Sequence, residues 1–182
     1  METGDWYDDS YVITETQYKN DGFTLELPAT VPAKYLEPLW EDDMGEVTIS
    51  DKTVKGTGIY YLYAYDKDDE ELGWLAYMSA NPSDDEKNMS EAIWIYFDKN
   101  VTINGQYKEE YVNESYNEEY ITKYNNVTFT KGWNIAYMSQ TYTYNQSTKR
   151  ETYTSTVSTQ KPSGVTLKWY FYSYDYENYT VK

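Results

Sequence analysis

The feature of this chain that most constrains its fold is the recurrence of short segments in which apolar and polar side chains alternate. Residues 23–27 (FTLEL) and 165–172 (VTLKWYFY) carry apolar side chains at every second position, which is the period of a half-buried β-strand. Turn-forming residues separate these segments, and none sustains the 3.6-residue period of a helix. The pattern predicts an all-β fold, namely an antiparallel β-sandwich of immunoglobulin-like or jelly-roll-like type, with a lipocalin-like β-barrel as the alternative.

Two other strand-like segments of the chain are similar to each other in sequence. Residues 73–79 (GWLAYMS) and 132–139 (GWNIAYMS) share a Gly-Trp opening and an Ala-Tyr-Met-Ser ending, as expected when a supersecondary unit is used twice. The second copy holds one extra residue, Asn134, and in a regular strand one residue turns a side chain to the opposite face. Either a β-bulge at Asn134 absorbs the extra residue, so that corresponding side chains lie on the same face, or the similarity of the two segments is partly chance. We expect both copies to be core strands, with Trp133 as a buried anchor.

The length of the chain limits its domain organisation. At 182 residues it can form one domain with a substantial core. Residues 1–9 are polar and acidic, and we interpret them as an N-terminal tether. Residues 10–182 are predicted to form a single all-β domain, with two pseudo-repeats dividing near residue 105 as an alternative. The first residues lack the basic and apolar regions of a signal peptide, so the signal of an exported protein would lie upstream of residue 1.

The stretch from residue 107 to residue 124 has two interpretations. Tyr116, Tyr120 and Tyr124 stand four apart, as on one side of a helix, while Glu and Asn residues fill the spaces between them. We interpret the stretch as two strands joined by a loop around residues 113–117.

The charge balance limits the partners of this chain. With 31 acidic and 15 basic residues, the formal net charge is −16. A nucleic-acid groove or an anionic membrane surface requires clustered Lys and Arg side chains, and this chain has no long basic run. We therefore expect no nucleic-acid partner, contact with a membrane only through a lipid anchor, and a monomer kept apart by mutual repulsion.

Two missing residue types exclude several kinds of chemistry. The chain contains neither Cys nor His, which removes thiolate and imidazole metal ligands, disulfides and any Ser-His-Asp triad. We expect no cofactor. Paired carboxylates are the remaining acid-base groups, so a glycoside hydrolase stays formally open. Because no pair stands out among 31 acidic residues, a non-catalytic role is the leading expectation.

The 24 Tyr and 6 Trp residues supply the candidate binding site. If the last strand continues, its alternation places Trp169 and Phe171 inward and one row of Tyr side chains outward. Flat aromatic rings can stack on the C–H faces of sugars, while nearby carboxylates and amides bind the hydroxyls. The alternative is that these rings simply pack under loops or against a neighbouring strand. The candidate ligand-binding residues are Tyr170, Tyr172, Tyr174 and Tyr176.

Acidic turns provide a weaker candidate. The turn that contains Asp66, Asp68 and Asp69 has carboxylates that could bind calcium. It lacks the glycine and the ligand spacing of the calcium-binding helix-loop-helix motif, so a solvated turn is the favoured interpretation.

Two short segments of the sequence resemble those of a known group of proteins. Residues 27–36 (LPATVPAKYL) and 126–134 (NVTFTKGWN), together with the Tyr, Asp and Asn bias, resemble small exported lipoproteins of Bacteroidetes. The resemblance implies a β-sandwich domain tethered to the cell envelope by a lipidated Cys upstream of this chain. It carries no assigned activity and no functional residues.

These observations lead to one functional expectation and two alternatives. The chain is expected to be a non-catalytic binding or accessory module, exported to the cell envelope or outer surface, with carbohydrate as the first ligand class to test. The first alternative is a structural or adhesive surface protein that binds protein partners through exposed strand edges and tyrosines. The second is a carboxylate-based glycoside hydrolase.

Overall fold

The structure is a computed structural model that describes residues 12–19, 22–39, 45–79, 88–113 and 116–173. The tether predicted over residues 1–9 lies outside these ranges. The all-β prediction is confirmed, because the regular elements in the described residues are strands apart from the 3₁₀ turn Ala33–Tyr35. The strands are β1 (Glu37–Pro38), β2 (Thr48–Ile49), β3 (Lys55–Ile59), β4 (Leu62–Tyr65), β5 (Glu71–Met78), β6 (Ser90–Phe97), β7 (Val101–Val112), β8 (Asn117–Phe129), β9 (Gly132–Asn145), β10 (Arg150–Ser158) and β11 (Lys168–Ser173).

The strands form one curled sheet of 11 strands. Its main path runs β1-β3-β6-β9-β10-β8-β7-β2, and β5 branches from β6 to pair with β4 and β11. Pairing is antiparallel except between β8 and β10, which run parallel over residues 118–124 and 151–157. A sheet curled in this way is consistent with the sandwich-like or barrel-like all-β fold that the sequence predicts.

The main core lies inside the curl. Near the core, β7 and β8 carry buried apolar side chains at alternate positions, whereas residues 92–97 of β6 are apolar on both faces. The rings of Phe97 and Phe129 meet at 5.1 Å between centroids, and burial of each large side chain contributes about 1.5–3 kcal/mol. The buried residues of this cluster are Val47, Val54, Ile93, Phe97, Val101, Ile103, Val127, Phe129, Ala136 and Val157.

The N-terminal part of the described chain covers the other face of β6 and β9. Val31 and Leu36 are buried against Tyr96, and Trp133 packs on this group. The Trp133 Nε1 donates a hydrogen bond to the Pro28 carbonyl oxygen at 2.8 Å. Trp133 is half-buried rather than fully buried, so it anchors the covering segment to the sheet rather than filling the core.

Residues 23–27 do not form the strand that their alternation predicts. They are extended without a ladder partner, although Phe23, Leu25 and Leu27 are half-buried and the residues between them are exposed. Phe23 packs edge-on against Trp169 with ring centroids 5.9 Å apart. The alternation therefore reflects packing of an extended segment on the sheet and not membership of the sheet.

The two Gly-Trp segments lie in β5 and β9, and both contribute buried side chains. In β5, Ala76 and Met78 are buried on the face that Trp74 shares. In β9, Ala136 is buried while Trp133 lies on the opposite face. β9 pairs with β6 without a register shift at Asn134, so no bulge compensates for the extra residue. Residue 105 lies inside β7 rather than between elements.

The ambiguous stretch 107–124 forms two strands, as predicted. β7 ends at Val112 and β8 begins at Asn117. A spacing of four residues is even, so Tyr120 and Tyr124 share a face of a strand just as they would share a side of a helix. The helical signal in this stretch is therefore equally a strand signal.

The far halves of four strands extend away from the core, and of their side chains Tyr107 and Tyr124, at the end nearest the core, pack against it. We call residues 106–112, 117–124, 139–145 and 150–156 the arm; these segments belong to β7, β8, β9 and β10. None of the side chains in the arm is buried, and all of them are half-buried or exposed. The arm is therefore a four-stranded sheet that presents two accessible faces.

The two Gly-Trp glycines provide a test of the β5–β11 contact. Gly73 and Gly132 have φ angles of 146° and 97°, which disfavour other residues. A Cβ on Gly73 would lie 1.9 Å from the Tyr172 carbonyl oxygen, whereas a Cβ on Gly132 would meet nothing within 4 Å. We expect Gly132→Ala to lower the free energy of unfolding by about 1–3 kcal/mol, and Gly73→Ala to lower it further. The free energies of unfolding are measured with urea. An equal decrease in the two variants would contradict the β5–β11 register.

Candidate functional site

The predicted row of outward tyrosines is wrong at Tyr172. This residue is only 8% exposed because β11 pairs with β5 and sets Tyr172 opposite Trp74. The two rings stack at 4.0 Å between centroids, and the Tyr172 hydroxyl lies 3.3 Å from the Met78 Sδ. Tyr170 is half-buried beside the same cluster. Tyr174 and Tyr176 lie outside the described residues.

The acidic turn between β4 and β5 is stabilised by hydrogen bonds between the Asp66 carboxylate and the backbone of the turn. The Asp66 Oδ1 accepts hydrogen bonds from the backbone N–H groups of Asp68 at 2.7 Å and Glu70 at 3.0 Å. Lys67 forms an ion pair with Asp68. In the part of the chain that the structure describes, no three acidic side chains come together as metal ligands. Asp66, Asp68 and Asp69 are therefore turn residues in this structure.

A different set of tyrosines shares one face of the arm. Its four strands lie in the order β7, β8, β10 and β9. Across these strands, one row holds Glu109, Tyr120, Tyr153 and Tyr142, and the next row holds Tyr111, Glu118, Glu151 and Tyr144. We call these eight residues and Tyr107 the tyrosine–glutamate face.

The tyrosine rings of the first row contact one another across three strands. Tyr120 and Tyr153 lie 4.9 Å apart at an interplanar angle of 9°, and Tyr142 packs on Tyr153 at 5.2 Å and 56°. Tyr111 meets Tyr120 edge-on at 5.7 Å. Carbon atoms of contacting rings lie about 3.5–4.0 Å apart. Because the centroids of Tyr120 and Tyr153 are 4.9 Å apart, the two stacked rings are offset from each other. Such an offset leaves part of each ring face uncovered by its neighbour.

On three of the four strands of the arm, a tyrosine hydroxyl holds a glutamate carboxylate in place. In β7, β8 and β10, a tyrosine hydroxyl donates to the glutamate two positions away, so the ring leans along the strand and the carboxylate is held beside it. The donor and acceptor pairs, all at 2.9 Å, are Tyr107 with Glu109, Tyr120 with Glu118 and Tyr153 with Glu151.

The phenols in the middle of this face are held in their neutral form. Burial raises the pKa of Tyr153 and Tyr120, and the hydrogen bonds to Glu151 and Glu118 raise these pKa values further. An ordinary tyrosine already titrates near pH 10. Both hydroxyls therefore remain hydrogen-bond donors at neutral pH.

The basic side chains of the arm lie on its opposite face, which we call the ion-pair face. The Lys108 Nζ lies 2.7 Å from Glu110, and the Arg150 Nη2 lies 2.8 Å from Glu110 and 3.3 Å from Glu119. The hydrogen bond from Lys108, followed by the interactions with Arg150, lowers the pKa of the Glu110 carboxyl. By register, Lys123 also lies on this face. These contacts bridge β7, β8 and β10.

The sequence signal for the tyrosine–glutamate face lies in residues 141–154, outside the last strand. Residues 141–144 (TYTY) and 151–154 (ETYT) alternate Tyr with Thr, which predicts one aromatic face on each strand. Their alignment could not be predicted, because it depends on the parallel pairing of β10 with β8. The ring row therefore combines residues that are distant in sequence.

Comparison of the chain with protein-family models, curated proteins and solved structures found no match. Within the described ranges, no helix has the length and apolar character needed to cross a membrane.

The raised pKa of Tyr153 predicts a loss of stability at alkaline pH. Above about pH 10 an unfolded tyrosine loses its proton while folded Tyr153 keeps it, so the free energy of unfolding falls as pH rises. Tyr153→Phe removes this contribution, and we expect a shallower fall. The measurement is urea unfolding of both proteins on either side of about pH 10. An unchanged slope in Tyr153→Phe would contradict the environment described for this phenol.

Proposed function

We propose that this chain is a non-catalytic glycan-binding module of the cell envelope that binds its ligand on the tyrosine–glutamate face. The observation that carries the proposal is the row Tyr120, Tyr153 and Tyr142, in which three contacting rings cross three strands on an accessible sheet face. The envelope location is supported by the resemblance of the sequence to exported lipoproteins.

The chemistry of this face suits an extended sugar chain. Uncovered parts of the tyrosine rings offer apolar surface to the C–H faces of pyranose rings. Glu109, Glu118 and Glu151 provide carboxylate oxygens that accept hydrogen bonds from sugar hydroxyls. Adjacent strands are about 4.7–4.9 Å apart, so the ring row is long enough to contact more than one sugar. A shallow depression beside the row is lined by Glu109, Tyr111, Glu118 and Tyr120.

The charge of the face argues against an anionic polymer. By register, the Lys and Arg side chains of the arm, Lys108, Lys123 and Arg150, lie on the ion-pair face. A ligand rich in phosphate or sulfate groups requires Lys or Arg contacts, and it would here meet three glutamates instead. A neutral or positively charged glycan avoids this repulsion.

Removal of rings from the row tests the proposal. We expect Tyr153→Ala and Tyr142→Ala each to weaken binding of neutral oligosaccharides at least tenfold, or about 1.4 kcal/mol, because each removes apolar contact area. The matched control is Tyr65→Ala, since Tyr65 lies in β4 and its side chain is 56% exposed. Binding is measured by calorimetry with soluble β-glucan, xylan, mannan and N-acetylglucosamine oligomers.

Two results would contradict the proposal. The first is the absence of binding across the glycan panel by a protein shown to be folded from its circular dichroism and cooperative unfolding. The second is binding that Tyr65→Ala weakens as much as Tyr153→Ala does. Tyr142 lies at the end of the row, so Tyr142→Ala remains informative if loss of Tyr153 disturbs the arm.

A further inference from the structure

Two carboxylates of the tyrosine–glutamate face lie side by side. Glu118 of β8 and Glu151 of β10 are direct partners in the parallel pair, where neighbouring strands are about 4.7–4.9 Å apart. Like charges at directly opposed positions destabilise a sheet. This arrangement therefore has a cost that persists unless a positive charge lies near the pair.

No ion pair compensates these two carboxylates in the part of the chain that the structure describes. Glu118 and Glu151 accept hydrogen bonds from Tyr120 and Tyr153, and neither forms an ion pair with a described residue. The glutamates of the ion-pair face differ, because Lys108 and Arg150 bridge them. The arm thus places its basic side chains on one face, and Glu118 and Glu151 on the other face have tyrosine hydroxyls as partners rather than cations.

Aromatic rings surround the pair. Tyr111 and Tyr144 occupy the two ends of the row that holds Glu118 and Glu151, and both are about half exposed, at 52% and 49%. Tyr120 and Tyr153 lie in the adjacent row. A carboxylate pair with aromatic neighbours suits an ammonium group, which gains both charge pairing and cation–π contacts. Calcium instead requires about six to eight oxygen ligands.

We propose that the tyrosine–glutamate face selects glycans whose sugars carry protonated amino groups, and that the Glu118–Glu151 pair binds one of these ammonium groups. This inference rests on the glycan-binding function proposed above and names its ligand class, which is an unacetylated hexosamine polymer. The tyrosine rows contact the sugar rings, while the carboxylate pair distinguishes the amine from its acetylated form.

The test compares two soluble oligomers of equal length, β-1,4-linked glucosamine and β-1,4-linked N-acetylglucosamine, by calorimetry at mildly acidic pH. We expect the amine form to bind at least tenfold more tightly at low salt. This preference is expected to disappear near 1 M salt, where the Debye length falls to about 3 Å. The double variant Glu118→Gln with Glu151→Gln should lose the preference, so that the two oligomers bind it with similar affinities.

The matched control is Glu37→Gln, an exposed glutamate of β1 outside the arm, which should leave the preference unchanged. If both oligomers bind equally and Tyr142→Ala weakens both, the amine selectivity is wrong and the glycan-binding function stands. If neither oligomer nor any neutral glycan binds, both proposals fail. Equally tight binding of oligolysine through the same glutamates would also overturn the inference, because the face would then recognise polycations in general.

Discussion

The parallel pairing of β8 with β10 is the constraint on which the rest of this structure depends. β7 with β8 and β9 with β10 are antiparallel hairpins, and the parallel register from Glu118 with Glu151 to Tyr124 with Val157 joins them. β8 and β9 follow each other in the chain with only residues 130 and 131 between them, yet β10 lies between them in the sheet. The main core fills the curl near the bases of these strands, where Phe129 of β8 meets Phe97 of β6.

This arrangement explains the unusual composition of the arm. A sheet with two accessible faces gains little stability from a buried core, so it depends mainly on its main-chain ladder and on cross-strand side-chain pairs. Ring contacts support the tyrosine–glutamate face, and the Lys108 and Arg150 ion pairs support the ion-pair face. Cross-strand pairs contribute about 0.2–1 kcal/mol each, so both faces support the arm. The ring row is also the surface proposed to bind ligand.

The sequence predicted the local features of this fold better than the global ones. The sequence predicted two strands within residues 107–124, and strand period identified the half-buried positions of residues 23–27, because side-chain alternation depends only on neighbouring residues. It did not predict that residues 23–27 lack a ladder, or that β5 covers Tyr172. Strand partners are set by packing between distant segments, and a period of two does not specify which face is covered. For the same reason, the alternation of Tyr and Thr predicted one aromatic face on β9 and on β10, but it did not predict that Tyr153 and Tyr142 align with Tyr120.

Binding of glycans on the tyrosine–glutamate face is tested most directly by nuclear magnetic resonance of the side chains. During titration with a neutral oligosaccharide, the ring signals of Tyr120, Tyr142 and Tyr153 should shift together with a common saturation curve. The methyl signals of Thr152 and Thr154, on the ion-pair face, should remain in place. Shifts confined to another aromatic group, such as the stacked rings of Trp94 and Trp169, or no shift at any concentration, would contradict the account.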